Sequence, residues 1–308
     1  MNIKFLGIFV IGLLIGMGIG TWITTTHPAT IEAPEDSAWR TESIRIIGST
    51  TVLPIANAAA ITFMQKYPGV DIRVEGGGSG HGYASLIDGA CDIAMASRKP
   101  KPKEIADAKD KNVSLILHEI AMDAVVIIIN PTVSTVPLNL TLEQVAKIFN
   151  GTYTKWSEVD PSLPDKEIIV FTREAGSGTR GTFEEFVMEP FGLTITPDAQ
   201  EVPSNPAMRE SVRNTPYSIG YVGLGFVTED VVTVNLAVSE NGTYYEPTPE
   251  NIYAGKYPIS RYLYLVTNGW PESGSLVDRF IDFIRSPEGQ KIVEDQGFLA
   301  LPKYPPST

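Results

Sequence analysis

From Ser43 onward, short apolar runs alternate with stretches whose apolar residues recur every three or four positions. Ser43 to Ile47 has strand character, and Val52 to Tyr67 reads as a helix with Ile55, Ala59 and Phe63 on one face. Val70 to Glu75 is a strand halted by three glycines, a helix follows from about Gly82 to Asp88, and Asp92 to Ala96 is a buried strand. Lys103 to Lys111 is a charged surface helix, and Val113 to Ile120 and Ala124 to Asn130 are two strands. Thr141 and Gln144 form a capping box for a helix from Leu142 to Asn150. Further on come a strand at Ile168 to Phe171, a helix at Thr179 to Val187 and a strand at Ile219 to Val222. Strands near Val231 to Leu236 and Tyr262 to Val266 then lead to helices at Leu276 to Ile284 and Pro287 to Asp295, the last with Pro at its first position. This alternation predicts α/β lobes with mostly parallel sheets.

The N-terminus follows another pattern. Lys4 precedes an uncharged apolar run from Phe5 to Ile23. At about 1.5 Å per residue it is long enough to cross a bilayer core. The first charges after it, Glu32, Glu35 and Asp36, are acidic, so the positive-inside rule places the rest of the chain outside. With no A-x-A site directly after the run, residues 1–24 read as an uncleaved signal anchor and 25–42, rich in Thr, Pro and Ala, as a tether. Sequons at Asn112, Asn139, Asn150 and Asn241 fit an exported surface.

Length and charge narrow the function. The 308 residues suffice for two lobes, each with a core. Acidic residues number 36 against 24 basic ones, a net charge of -12, which argues against nucleic acid as a partner. The single cysteine, Cys91, excludes an intramolecular disulfide and reads as a small buried hydrophobe.

Three places share one design of strand, Gly/Ser/Thr turn and helix. They are Gly48-Ser49-Thr50-Thr51, Gly76-Gly77-Gly78-Ser79-Gly80, and Arg173-Glu174-Ala175-Gly176-Ser177-Gly178-Thr179. Free N–H groups at a helix start, close backbone approach at glycine, and hydroxyl donors suit a tetrahedral oxyanion. Arg173 adds a bidentate charged donor, and Arg98, after the strand ending at Ala96, is a second candidate. Ligands of open α/β sheets bind at the carboxyl ends of strands, where these turns would lie. A P-loop, a G-x-G-x-x-G fingerprint and a G-x-S-x-G elbow are all missing. His27, His81 and His118 lack metal-ligand spacing, so neither a metal, a cofactor nor a catalytic set is expected.

These loops, with Ala96-Ser97-Arg98 and the closing Ser286-Pro287-Glu288-Gly289-Gln290, resemble the phosphate-binding proteins of ABC-type phosphate importers, over about Ile44 to Pro302. The resemblance implies a two-lobed, type II periplasmic-binding-protein-like fold with a mixed, helix-flanked sheet in each lobe. Two crossing strands would join the lobes around a buried anion. Residues 43–122 and 231–303 would form lobe 1, and 123–230 lobe 2. The site residues it implies are Ser49, Thr50, Ser79, Arg173, Ser177, Gly178 and Thr179, to which Arg98 is added here as a candidate from the chain itself. In the best-studied members an aspartate follows this Ala-Ser and accepts the proton of hydrogen phosphate; here Arg98 stands there, and Glu174 is the substitute acceptor considered. The implied function is capture of inorganic phosphate and its delivery to a membrane-embedded ABC permease, by a monomer on the extracytoplasmic face. Sulfate, molybdate or tungstate is the alternative ligand, and a secreted phosphatase the alternative class.

Overall fold

A computed structural model describes residues 35–302. The apolar run at 5–23 and the tether up to residue 34 lie outside the described residues. Among the described residues no helix is long and apolar enough to cross a membrane. The tether expected to continue to residue 42 is already folded at its end. Glu35–Thr41 is a 3-10 helix, and Trp39, 6% exposed, packs edge-on to Tyr67 at 5.0 Å beneath the Arg279 guanidinium at 4.7 Å. One aromatic residue in a polar stretch leaves no periodicity to read, yet it carries enough area to dock the segment.

The chain then runs β1 (Ser43–Gly48), α1 (Leu53–Lys66), β2 (Asp71–Gly76), α2 (Ser79–Ile87), β3 (Ile93–Ala96) and α3 (Pro102–Asp110). Next come β4 (Leu115–Ile129), β5 (Leu138–Thr141), α4 (Leu142–Phe149), α5 (Trp156–Val159), β6 (Ile169–Arg173) and α6 (Gly178–Phe183). The remainder is β7 (Gln200–Val202), α7 (Asn205–Asn214), β8 (Ser218–Gly223), β9 (Val232–Ala237), α8 (Pro249–Tyr253), β10 (Ser260–Asn268), α9 (Leu276–Arg285) and α10 (Pro287–Asp295). A π-helical turn, Glu184–Met188, extends α6.

Hydrogen bonding links the strands in the order β2-β1-β3-β10-β4-β8-β6-β7, with β9 joined to β4 and β5. Pairs β1–β2, β1–β3, β6–β7, β6–β8 and β5–β9 are parallel, while β10 and β4 meet their partners antiparallel. The sheets are therefore mixed and two lobes result.

β4 is the link between the lobes. Its residues Leu115 to Ala124 pair with β10 in the first sheet, and Val125 to Ile129 pair with β8 in the second. The two strands expected at 113–120 and 124–130 are thus one strand of 15 residues. Asp123 breaks the apolar pattern without breaking the strand, because Arg261 on β10 lies opposite and neutralises it. β9, assigned from sequence to the first lobe, pairs with β5 and with Ile128 and Ile129 of β4, on the second sheet. Hydrophobic pattern reveals that a strand exists but not which partner it takes.

Helix signals hold well. Thr141 and Gln144 form the expected box, and Ser275 and Ser286 cap α9 and α10. α9 buries Leu276, Phe280, Ile281 and Ile284 on one face, the stripe that its spacing dictates. α2 begins at Ser79, earlier than the expected Gly82, because Gly78 at φ 89° already turns the chain into the helix.

Candidate functional site

The ends of β1, β2 and β6 bring the three Gly/Ser/Thr turns to one cleft between the lobes, beside Ser97 at the end of β3. After β1, the Ser49 hydroxyl oxygen accepts from the N–H groups of Thr51 at 3.2 Å and Val52 at 3.4 Å, so its own proton is left to donate. Ser79, fully buried at the start of α2, accepts from the Ser97 N–H at 3.0 Å. Ser177 caps α6 by accepting from the Arg180 N–H at 3.2 Å.

The lobes touch through glycine. Gly80 N–H donates to the Gly176 carbonyl at 2.9 Å. A Cβ on Gly178 would fall 2.2 Å from both the Ser79 and Ser97 hydroxyl oxygens, so only glycine lets the α6 backbone settle on the first lobe. Thr51 and Thr179 meet across the cleft at 3.0 Å between hydroxyl oxygens.

Arg173 ends β6 with 1% exposure. Its Nε donates to the Val202 carbonyl at 3.1 Å, and its Nη2 to the Pro203 carbonyl at 3.1 Å and the Thr50 hydroxyl at 3.3 Å. Nε and Nη2 also donate to the two Glu174 oxygens at 3.0 Å each. Among the described residues Nη1 finds no partner. A buried guanidinium with one idle donor and the Thr50 hydroxyl beside it suits an anion. Tyr221 supports it from below: its hydroxyl accepts the Arg173 backbone N–H at 3.2 Å, and burial pushes that phenol up to about 12.

Arg98 and Glu174 each pair with an opposite charge. Arg98 is buried, but Nη1 and Nη2 clasp Glu104 at 2.7 Å each and lie over the Tyr83 ring, 5.4 Å from guanidinium carbon to ring centroid. Its side chain runs beside Gly181 and walls the cleft with its charge matched, while its Nε, like Arg173 Nη1, has no partner among the described residues. Glu174, considered as a proton acceptor, spends both oxygens on Arg173 and is that residue's charge partner. Ser49, Thr50, Ser79, Arg173, Ser177, Gly178 and Thr179 are brought together.

Several residues at the site escaped sequence reasoning. Asn205, at the start of α7, donates to the Thr51 hydroxyl at 2.9 Å and accepts from the Gly223 N–H at 3.2 Å. Asp123 and Arg261, where the crossing strands meet, form a buried pair with Nε at 2.9 Å and Nη2 at 2.7 Å from one carboxylate oxygen; the Leu224 N–H donates to the other at 2.8 Å. Arg261 Nη2 also reaches the Thr179 hydroxyl at 3.2 Å. Burial raises the Asp123 carboxyl, with the guanidinium opposing, and burial lowers Arg261, with the carboxylate opposing. A charge flanked by apolar residues on both sides was the available signal for Asp123. Asn205 offered only a Ser-Asn-Pro helix start.

Cys91 and His118 lie apart from these turns, and His81 rests its ring against Gly77. Cys91 is buried, and that burial pushes its thiol up to about 12, an inert state. His118 Nε2 pairs with the Thr267 hydroxyl at 2.9 Å, a structural role, while His81 is exposed.

Comparison with known proteins agrees with this geometry. The PBP superfamily domain matches residues 33–288. The phosphate-binding protein PstS of Bacillus subtilis is 33% identical over 260 residues, covering 84% of this chain and 81% of the relative. PstS of Borreliella burgdorferi is 34% identical over 263 residues, covering 84% and 90%. A putative phosphate ABC transporter substrate-binding protein from Clostridium perfringens, solved with bound phosphate, superposes with a TM-score of 0.73 at 32% identity, over 85% of this chain and all of that one.

Proposed function

The chain belongs to the PstS family of phosphate-binding proteins within the PBP superfamily, and from that premise we propose that it captures inorganic phosphate in its interlobe cleft and delivers it to an ABC importer. It is a binding protein and not an enzyme, as its relatives are. The observation that carries the ligand class is the idle Nη1 of buried Arg173, a second-lobe residue whose guanidinium meets the Thr50 hydroxyl of the first lobe. Ser49, Thr50, Ser79, Ser177, Gly178 and Thr179 are the donors assigned to the anion, with Arg98 a wall of the cleft. Strand pairing supports a lobe division with 43–122 and the stretch from β10 onward in one lobe and the intervening chain, β9 included, in the other. The protein acts as a monomer on the extracytoplasmic side, held by the apolar run at 5–23 as a single anchor.

Isothermal titration of the full chain in detergent decides the reading. Phosphate should bind with sub-micromolar affinity and outcompete sulfate, molybdate and tungstate. No heat with phosphate, or tighter binding of another oxyanion, would sink it.

A further inference from the structure

The contact between Thr51 and Thr179 poses a question of proton count. Their hydroxyl oxygens are 3.0 Å apart and either can donate. Each already has a fixed N–H donor: Asn205 Nδ2 for Thr51 at 2.9 Å, and Arg261 Nη2 for Thr179 at 3.2 Å. A hydroxyl has one proton and two lone pairs. If Thr51 donates to Thr179, then Thr179 keeps a free O–H and Thr51 keeps a free lone pair. If Thr179 donates, the roles swap. Either way the pair offers one donor and one acceptor, and exchanging them requires only two hydroxyl rotations.

We propose that the Thr51–Thr179 pair reads the proton on the bound oxyanion, accepting from its O–H while the partner hydroxyl donates to a bare oxygen. This deepens the phosphate reading above and rests on it. The carboxylates near the site are each paired with a guanidinium. Glu174 and Glu104 each give both oxygens to a guanidinium, and Asp123 is filled by Arg261 and the Leu224 N–H. Ser49 has both lone pairs occupied, and Ser177 and Thr50 each accept one N–H, whereas Thr51 and Thr179 are the hydroxyls that hydrogen-bond each other from opposite lobes. The hydroxyls of Ser79 and Ser97 also face each other, but at 3.3 Å and within one lobe.

The physical consequence is selectivity. A sulfate dianion has no proton to give, so it leaves a hydroxyl lone pair facing an anionic oxygen, whereas hydrogen phosphate satisfies both groups. Thr51 sits on the first lobe and Thr179 on the second, so the pair forms only when the cleft closes. Asn205 and the Asp123–Arg261 pair are positioning residues, since each fixes one of the two hydroxyl oxygens.

Titrating the full chain in detergent with phosphate and with sulfate tests this through their affinity ratio, which a merely structural role would leave unchanged. Thr51→Val should weaken phosphate about tenfold and sulfate less, narrowing the ratio, and Thr51→Ser should restore it. Asn205→Asp should widen it. A carboxylate there takes the Thr51 proton, Thr51 then accepts from Thr179, and the pair keeps only lone pairs, so both anions weaken but sulfate more. Equal weakening of both anions in both variants would show a donor without selectivity and overturn the proposal. If Thr51→Val does not fold, the direction of the ratio in Asn205→Asp decides alone. A wild-type chain that fails to bind phosphate removes the premise, an outcome distinct from an unchanged ratio in a chain that binds.

Discussion

At the scale of single residues, the cleft depends on one side chain and one absent side chain. Arg173 is held by two carbonyls and Glu174 so that a single nitrogen stays idle, an arrangement that a flat, five-donor fork permits and an ammonium does not. Arg173→Ala should therefore lower phosphate affinity about 100-fold or more in calorimetry, and Arg173→Lys should recover little of it. Gly178 is the absent side chain. Gly178→Ala would press a methyl into the Ser79 and Ser97 hydroxyls, so closure and affinity should fall while the melting temperature without ligand changes little. Both residues were legible in the sequence, since an Arg-x-x-x-Ser-Gly-Thr turn between strand and helix names its own chemistry. Arg98 keeps only Nε without a partner among the described residues, and the reason was not legible: how many of an arginine's donors are left for a ligand depends on which carboxylate reaches it first. Glu104 does so, six positions along the chain in a helix that reads as a charged surface.

At the scale of elements, β4 and β10 do what no local pattern foretold. Strand existence was legible for both, but that β4 continues through Asp123 into a second sheet was not, because the neutralising Arg261 is 138 positions away. Removing one member of this pair leaves the other charge buried and alone, so Asp123→Ala should destabilise the fold by about 3–5 kcal/mol in chemical denaturation. β4 also carries His118, where burial, aided by Arg285, lowers the imidazole below its ordinary range. The folded state then resists the proton that the unfolded chain accepts near pH 6.5. The stability His118 contributes is complete above about pH 6.5 and is lost as pH falls from there through the folded-state value. Denaturation between pH 5 and 8 should show that slope, and His118→Gln should flatten it.

At the scale of the whole molecule, the net charge of -12 and an anionic ligand stand in apparent conflict. The structure resolves it by separating capture from attraction. Arg173, Arg98 and Arg261 are each matched to a carboxylate, so the cleft presents directed N–H and O–H groups without surplus positive charge. Affinity then comes from short-range donors in a closed, water-poor cage, where salt has little reach. The approach of the anion, by contrast, is through the negative field of the whole chain, which extends about 30 Å at 0.01 M salt and about 8 Å at 0.15 M. Raising ionic strength over that range should therefore speed phosphate association a few-fold and leave dissociation almost unchanged, the reverse of a site that steers its ligand by excess positive charge. Stopped-flow binding across a salt series measures both rates. An association rate that falls steeply with salt would mean that a net positive cleft draws the anion in, and the three matched guanidiniums would not be the electrostatic description of the site.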